Sequence, residues 1–505
     1  MRTPTLAGAS ALALSLAPAA APALTPEAAW RSWQDAAGDA GVALEVGGRD
    51  LAGDTLTLSG VAFAAETEDG MTVTGSMEEV VFAGQGDGSV AVTLPDSYPV
   101  TLSGPNEAGA TGRVALTITH PGLAVVMSDA EEGGVATDYA APEIAVAIDE
   151  VAEDGAVQDL AGGVTMTDVS GRNARTGGDL PRIEGVFSAG EVAAAFEGTD
   201  PESGGRFDME IAAADVRSES TGTLTPLYAA NDELSTLIEN GFSVEGEGGS
   251  GEITFALSTE GMPESVDAQA RIAGTDVSGR IDDERLDYDI TYSGIEFAAS
   301  GSEIPLPQVA GGLAELRTRL SIPSVPTEEA QPMALAVALR DLVLGEAIWS
   351  VFDPAGALPR DPATLVLDIA GRLRFLTQPF SEEAMAGAET PPELQDLDLN
   401  ELRLSLMGAR LTGTGAFTFD YDTPGPLGPD SPAPDGELNL RLEGAQELLQ
   451  TLVRTGLLGE EQAMTMRMMT GMIAQPAPEG GDVLTSEIVV RPDGTVLANG
   501  APLPF

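Results

Sequence analysis

In Glu437-Leu438-Asn439-Leu440-Arg441-Leu442, leucines alternate with polar residues, so Leu438, Leu440 and Leu442 share one face of a strand whose side-chain period is two. One face is dry and the other wet. Residues 445–474 then read as one long helical stretch, and Val483–Val490 and Thr495–Asn499 flank Arg491-Pro492-Asp493-Gly494, whose Pro and Asp-Gly favour a tight reversal. The same one-sided writing fills much of the chain. Asp54–Leu58, Ser89–Leu94, Arg113–Thr119 and Glu143–Ile148 are alternating segments of five to seven residues, separated by Gly, Asp and Pro. No long helix falls between them, which argues against parallel βαβ units. The expected fold is mainly β: antiparallel meander sheets, elongated or sandwich-like, with a few capping α-helices including a long C-terminal one.

The punctuation divides the chain into blocks. Residues 24–40 form a helix opened by Thr25 as N-cap, Pro26 in the first turn and acidic Glu27. Trp30 and Trp33 lie three apart on it, as an aromatic plug over the end of a sheet or as a membrane-interface anchor. Residues 41–225 are a β-meander region, and 226–303 a helix, Pro226–Asn240, followed by strands. Residues 304–423 mix strands with helices near Val309–Leu320 and Glu346–Phe352, 424–435 form a Pro-rich loop, and 436–505 the closing strand-helix-hairpin module. Two echoes suggest reuse of a strand-pair unit or a bias in composition: Thr167–Arg172 recurs verbatim as Thr275–Arg280, and Ser59–Ala65 returns as Ser293–Ala299.

Composition adds a compartment. Met1-Arg2 precedes an apolar run from Leu6 to Leu16 and Ala21-Pro22-Ala23, the pattern of a cleaved signal peptide over residues 1–23, so a periplasmic location is expected. No stretch approaches ~20 apolar residues, which argues against stable transmembrane insertion. With 505 residues, 43% of them hydrophobic, a large core is within reach, and with no cysteine it must hold by packing alone. There are 80 acidic residues against 24 basic ones, every one of them Arg, for a net charge of -56. Nucleic acid and anionic membrane surfaces are unsuitable partners for such a chain.

Candidate chemistry is sparse. Gly246-Glu247-Gly248-Gly249-Ser250-Gly251 fits G-x-G-x-x-G, yet a strand follows where a dinucleotide site needs a helix N-terminus. The single histidine, His120, sits at a strand end in Thr119-His120-Pro121-Gly122 with no nucleophile or metal partner in view, and reads as a turn residue. Asp282-Asp283-Glu284 with Asp287 and Asp289, or Asp396 with Asp398, fit no calcium loop and read as solvated faces. No catalytic residue, metal site or cofactor is expected. Met464, Met468 and Met472 recur every four residues on the C-terminal helix, as core filler or as contacts to an apolar ligand, together with Leu438, Leu440 and Leu442. Phe505 ends the chain, but Pro502 and Pro504 break the strand a barrel signal requires.

The early Thr25-Pro26-Glu27-Ala28-Ala29-Trp30, Pro95-Asp96-Ser97-Tyr98-Pro99 and the ending Gly494-Thr495-Val496-Leu497-Ala498-Asn499-Gly500 resemble an uncharacterised exported family of alphaproteobacteria, domain of unknown function 2125. The strand, helix and hairpin at the end are also similar in style to envelope proteins of the AsmA-like kind. That second likeness implies an apolar sheet groove for lipid and carries over no catalytic residue. The expectation is a non-enzymatic envelope protein binding a lipid, an acyl chain or an envelope protein on a one-sided sheet. The alternatives are a structural or assembly factor with a closed core, and a carboxylate-dependent hydrolase.

Overall fold

The computed structural model describes residues 23–503 except 68–69, 106–110, 179, 202, 226–232, 382–383, 385–390 and 426–427. The proposed signal peptide and Phe505 lie outside the described residues, save Ala23. Among the described residues, twenty-six strands form a single antiparallel sheet. From Leu160 onward nearly every strand pairs with its neighbours in sequence. At several places, two short strands share one position. Ser243–Ser250 and Ile253–Glu260 together fill the gap between Arg206–Thr223 and Val266–Ile281.

Many strands are longer than the alternating segments suggest, reaching 19 residues in Val135–Glu153. The reason is a seam along which the ladder lapses without a change of register. Thr167 faces Glu191 and Ser170 faces Ser188, yet Asp168 between them is left-handed, with φ 48°. Asp215 (φ 49°) and Gly294 (φ 61°) do the same on later strands, and Gly60 (φ 62°) on an early one. Gly takes this conformation without strain, and Asp is among the few residues that tolerate it. Turn residues therefore crease the strands without ending them. The Ser-Gly echo at 59–60 and 293–294 marks the same crease twice, whereas of the two Thr-Asp-Val-Ser-Gly-Arg copies only the first holds a left-handed Asp.

Val309–Leu320 is not a helix: Val309–Pro323 is a strand whose Leu316 lies between Tyr292 and Leu339. Pairing on both sides overrides the helix preference of Ala, Leu, Glu and Arg. The Pro-rich stretch is likewise no loop, since Pro432 faces Pro424 and Pro434 faces Phe419. Proline is tolerated here because pairing with Val483–Val490 starts only at Gly436, which leaves this part of the strand at a sheet edge. The C-terminal helical stretch is split at Gly456 (φ 78°) into Ala445–Arg454 and Glu460–Ile473. Glu346–Phe352 is helical as expected; of the expected Pro226–Asn240 helix, residues 226–232 lie outside the described residues, and the helix runs only over Leu234–Glu239, with non-helical Glu233 before it.

The densest core lies at the N-terminal end. Helix Pro26–Asp39 is capped by Thr25, whose Oγ1 accepts from the Ala28 N–H at 3.2 Å. It lays Trp30 and Trp33 edge-on against Phe82, at ring distances of 5.8 and 5.5 Å. Beneath them Leu56, Leu58, Val80, Phe82 and Val90 are 0% exposed. The tryptophans are a plug over the sheet.

Candidate functional site

Residues directly opposite each other in neighbouring strands share a face, so the register shows which side chains lie side by side. Starting at Tyr292, the next partners are Leu316, Leu339 and Leu365. The row continues through Leu404, Leu411, Leu442 and Leu484. Two residues along, Ile290, Val337, Leu367, Leu402 and Leu440 lie in a parallel row. Two further, Tyr288, Leu320, Leu335, Ile369, Leu399, Leu438 and Ile488 form a third. At strand spacings of ~4.8 Å across and ~3.4 Å along, these rows cover roughly 34 by 14 Å.

Among the described residues, little covers this face. No member of the first row is buried, and Leu365 and Leu404 are 39% and 42% exposed. Helix Leu234–Glu239 covers only its margin, where Leu237, Ile238 and Phe242 pack with Val244 and Ile281. A bare apolar area of several hundred Å² marks a site of interaction. The apolar surface also crosses the seam. Tyr139 and Phe187 on one side, and Ile144, Met166 and Val192 on the other, pack on a single cluster around Ala141, Val169 and Ala189.

The three leucines singled out by alternation, Leu438, Leu440 and Leu442, all stand on this face. Met464, Met468 and Met472 are exposed on the adjoining helix Glu460–Ile473 and fill no core. That helix is fastened to the apolar side, because Ser486, directly opposite Leu440, donates its hydroxyl to the Ile473 carbonyl. Asn499 donates to the same oxygen at 3.0 Å.

The opposite face is polar. A trough of about 580 Å³ there is lined by Arg217, Glu219, Glu247, Asp276, Asp289 and Arg317 among others. Its arginines are committed: Arg217 to Asp276 at 2.9 Å and Arg317 to Asp289 at 2.6 Å. Hydrogen bonding from Arg317 holds the Asp289 carboxyl below its usual range. Among the described residues no three His, Cys, Asp or Glu side chains are grouped to hold a metal ion.

Within the Gly246–Gly251 tract, residues 246–249 are strand paired on both sides. A side chain at Gly249 would come within 2.2 Å of the Thr275 carbonyl, so close strand approach accounts for that glycine. Asp282 closes a hairpin. Burial pushes its carboxyl up, but the Arg285 and Glu284 N–H groups and Arg280 outweigh this and hold it low. His120 is a buried turn residue whose N–H donates to the Asp96 carbonyl at 2.8 Å.

Sequence reasoning missed one polar anchor. Asp353 accepts from the Ala357 and Leu358 N–H groups, each at 2.9 Å, and from Arg360 at 3.1 Å. The Arg360 guanidinium in turn lies 4.4 Å from the Trp349 ring centre. The Leu358 and Ala357 N–H groups, with Arg360, hold this carboxyl below its ordinary value. No spacing rule announces such a loop; an Asp just after a short helix was the available signal.

Among known proteins, the family described as an uncharacterized protein conserved in bacteria, DUF2125, matches residues 248–504, just over half of the chain. The match takes in the three apolar rows and the closing module. Of the resembling motifs, Gly494–Gly500 falls inside it, and Thr25–Trp30 and Pro95–Pro99 fall outside. No curated protein and no solved structure matches the chain.

Proposed function

The chain belongs to the DUF2125 family of uncharacterized proteins conserved in bacteria, and from that premise we propose that its bare apolar face binds the acyl chain of a lipid. The observation that carries this reading is the set of three uncovered apolar rows, running across as many as eight strands, inside the matched region. An acyl chain spans about half of the ~30 Å hydrocarbon core of a bilayer, so it fits lengthwise on the face. The helix bearing Met464, Met468 and Met472 stands beside it, and adaptable thioethers suit a ligand of variable shape. A net charge of -56 disfavours adsorption to an anionic membrane, which fits capture of single lipid tails.

In this reading the protein is non-enzymatic and acts in the cell envelope, exported by the N-terminal segment that reads as a signal peptide. The paired arginines and carboxylates of the polar face act as a solvated surface. Native mass spectrometry of periplasm-purified protein is expected to show co-purifying phospholipid. A Leu365→Asp, Leu404→Asp variant is expected to lose it while remaining folded. Lipid-free preparations that also fail to take up labelled phospholipid would overturn the reading. The tightly capped core around Trp30 and Phe82 favours a second role, as a structural platform, for the N-terminal end.

A further inference from the structure

Helix Glu460–Ile473 turns five thioethers outwards: Met464, Met466, Met468, Met469 and Met472 are between 49% and 72% exposed. Only Ala463 of this helix is buried. A thioether differs from an alkyl chain in one chemical respect, its soft sulfur lone pairs, which select Cu(I) over hard cations. Position decides whether several sulfurs can act together. Met472 lies three residues after Met469 and four after Met468, separations that bring Cβ atoms to about 5–6 Å on a helix surface. From Met468 and Met469 the flexible side chains are long enough to reach toward Met472, and Met464 stands one turn before Met468 as a further donor.

The surroundings leave these sulfurs free. The Thr465 and Thr470 hydroxyls donate back to the Glu461 and Met466 carbonyls at 2.9 and 2.8 Å. Gly471 has open space where a side chain would be. Arg467, the helix's one cation, falls on the opposite side of the wheel. The chain has no cysteine and a single, buried histidine, so methionine is its main soft donor. We propose that Met468, Met469 and Met472, assisted by Met464, bind one Cu(I) ion.

The test is an anaerobic titration of the full chain with Cu(I) against a chromogenic Cu(I) chelator, with Ag(I) as a second probe. The expected result is one equivalent withheld from the chelator. Met468→Leu, Met469→Leu and Met472→Leu combined are expected to weaken binding by at least about tenfold, with an unchanged melting curve. Met466→Leu is expected to leave it intact. Failure to withhold Cu(I), or undiminished binding by the triple leucine variant, would overturn the proposal. The Leu365→Asp, Leu404→Asp variant keeps every one of these sulfurs and is expected to bind Cu(I) undiminished, so the two readings can fail separately.

Discussion

One sheet is finished in two ways. At its N-terminal end a helix with Trp30 and Trp33 closes the apolar side, and Leu56, Leu58 and Phe82 lose all contact with water. In the C-terminal half, the same alternation builds an apolar side that no described helix covers in the middle, and leucines such as Leu365 and Leu404 remain well exposed. Burial is what converts an apolar side chain into stability, at roughly 25 cal/mol per Å² removed from water. The first region therefore holds the fold together. The second leaves that potential unspent, available to whatever covers it.

If the comparison is sound, truncation should hurt the two regions unequally. Trp30→Ala or Phe82→Ala is expected to cost about 3–5 kcal/mol, as for other fully buried aromatics, and urea denaturation would read it. Leu404→Ala, at a site already 42% exposed, is expected to cost only about 1 kcal/mol in the same assay. Equal losses at both ends would break the contrast.

A subtler effect is expected on acidification. The Asp353 carboxyl is held low in the folded chain, so its contribution is present above the ordinary Asp value of about 3.9 and fades as pH falls below it. Asp353→Asn should flatten that acid dependence, as thermal melts between about pH 5 and pH 3 would show.

Alternation made the dry face legible: Leu438, Leu440 and Leu442 were placed by period alone, and their rows extend across the neighbouring strands. Strand lengths were not legible, because Gly60, Asp168, Asp215 and Gly294 look like chain breaks and act as creases within continuous strands. Nor was the fate of Val309–Leu320, whose composition suits a helix while its partners Tyr292 and Leu339 require a strand. The Asp353 anchor depends on a loop bringing backbone N–H groups to one carboxylate, which no periodicity encodes.

The most direct measurement is photocrosslinking with a phospholipid carrying a photoreactive acyl chain, followed by mapping of the adducts by mass spectrometry. Adducts on the rows containing Tyr288, Leu335, Leu365 and Leu404, and none on Leu56, Phe82 or Trp30, are the predicted result. Adducts spread evenly over both regions, or absent from the open rows, would contradict it.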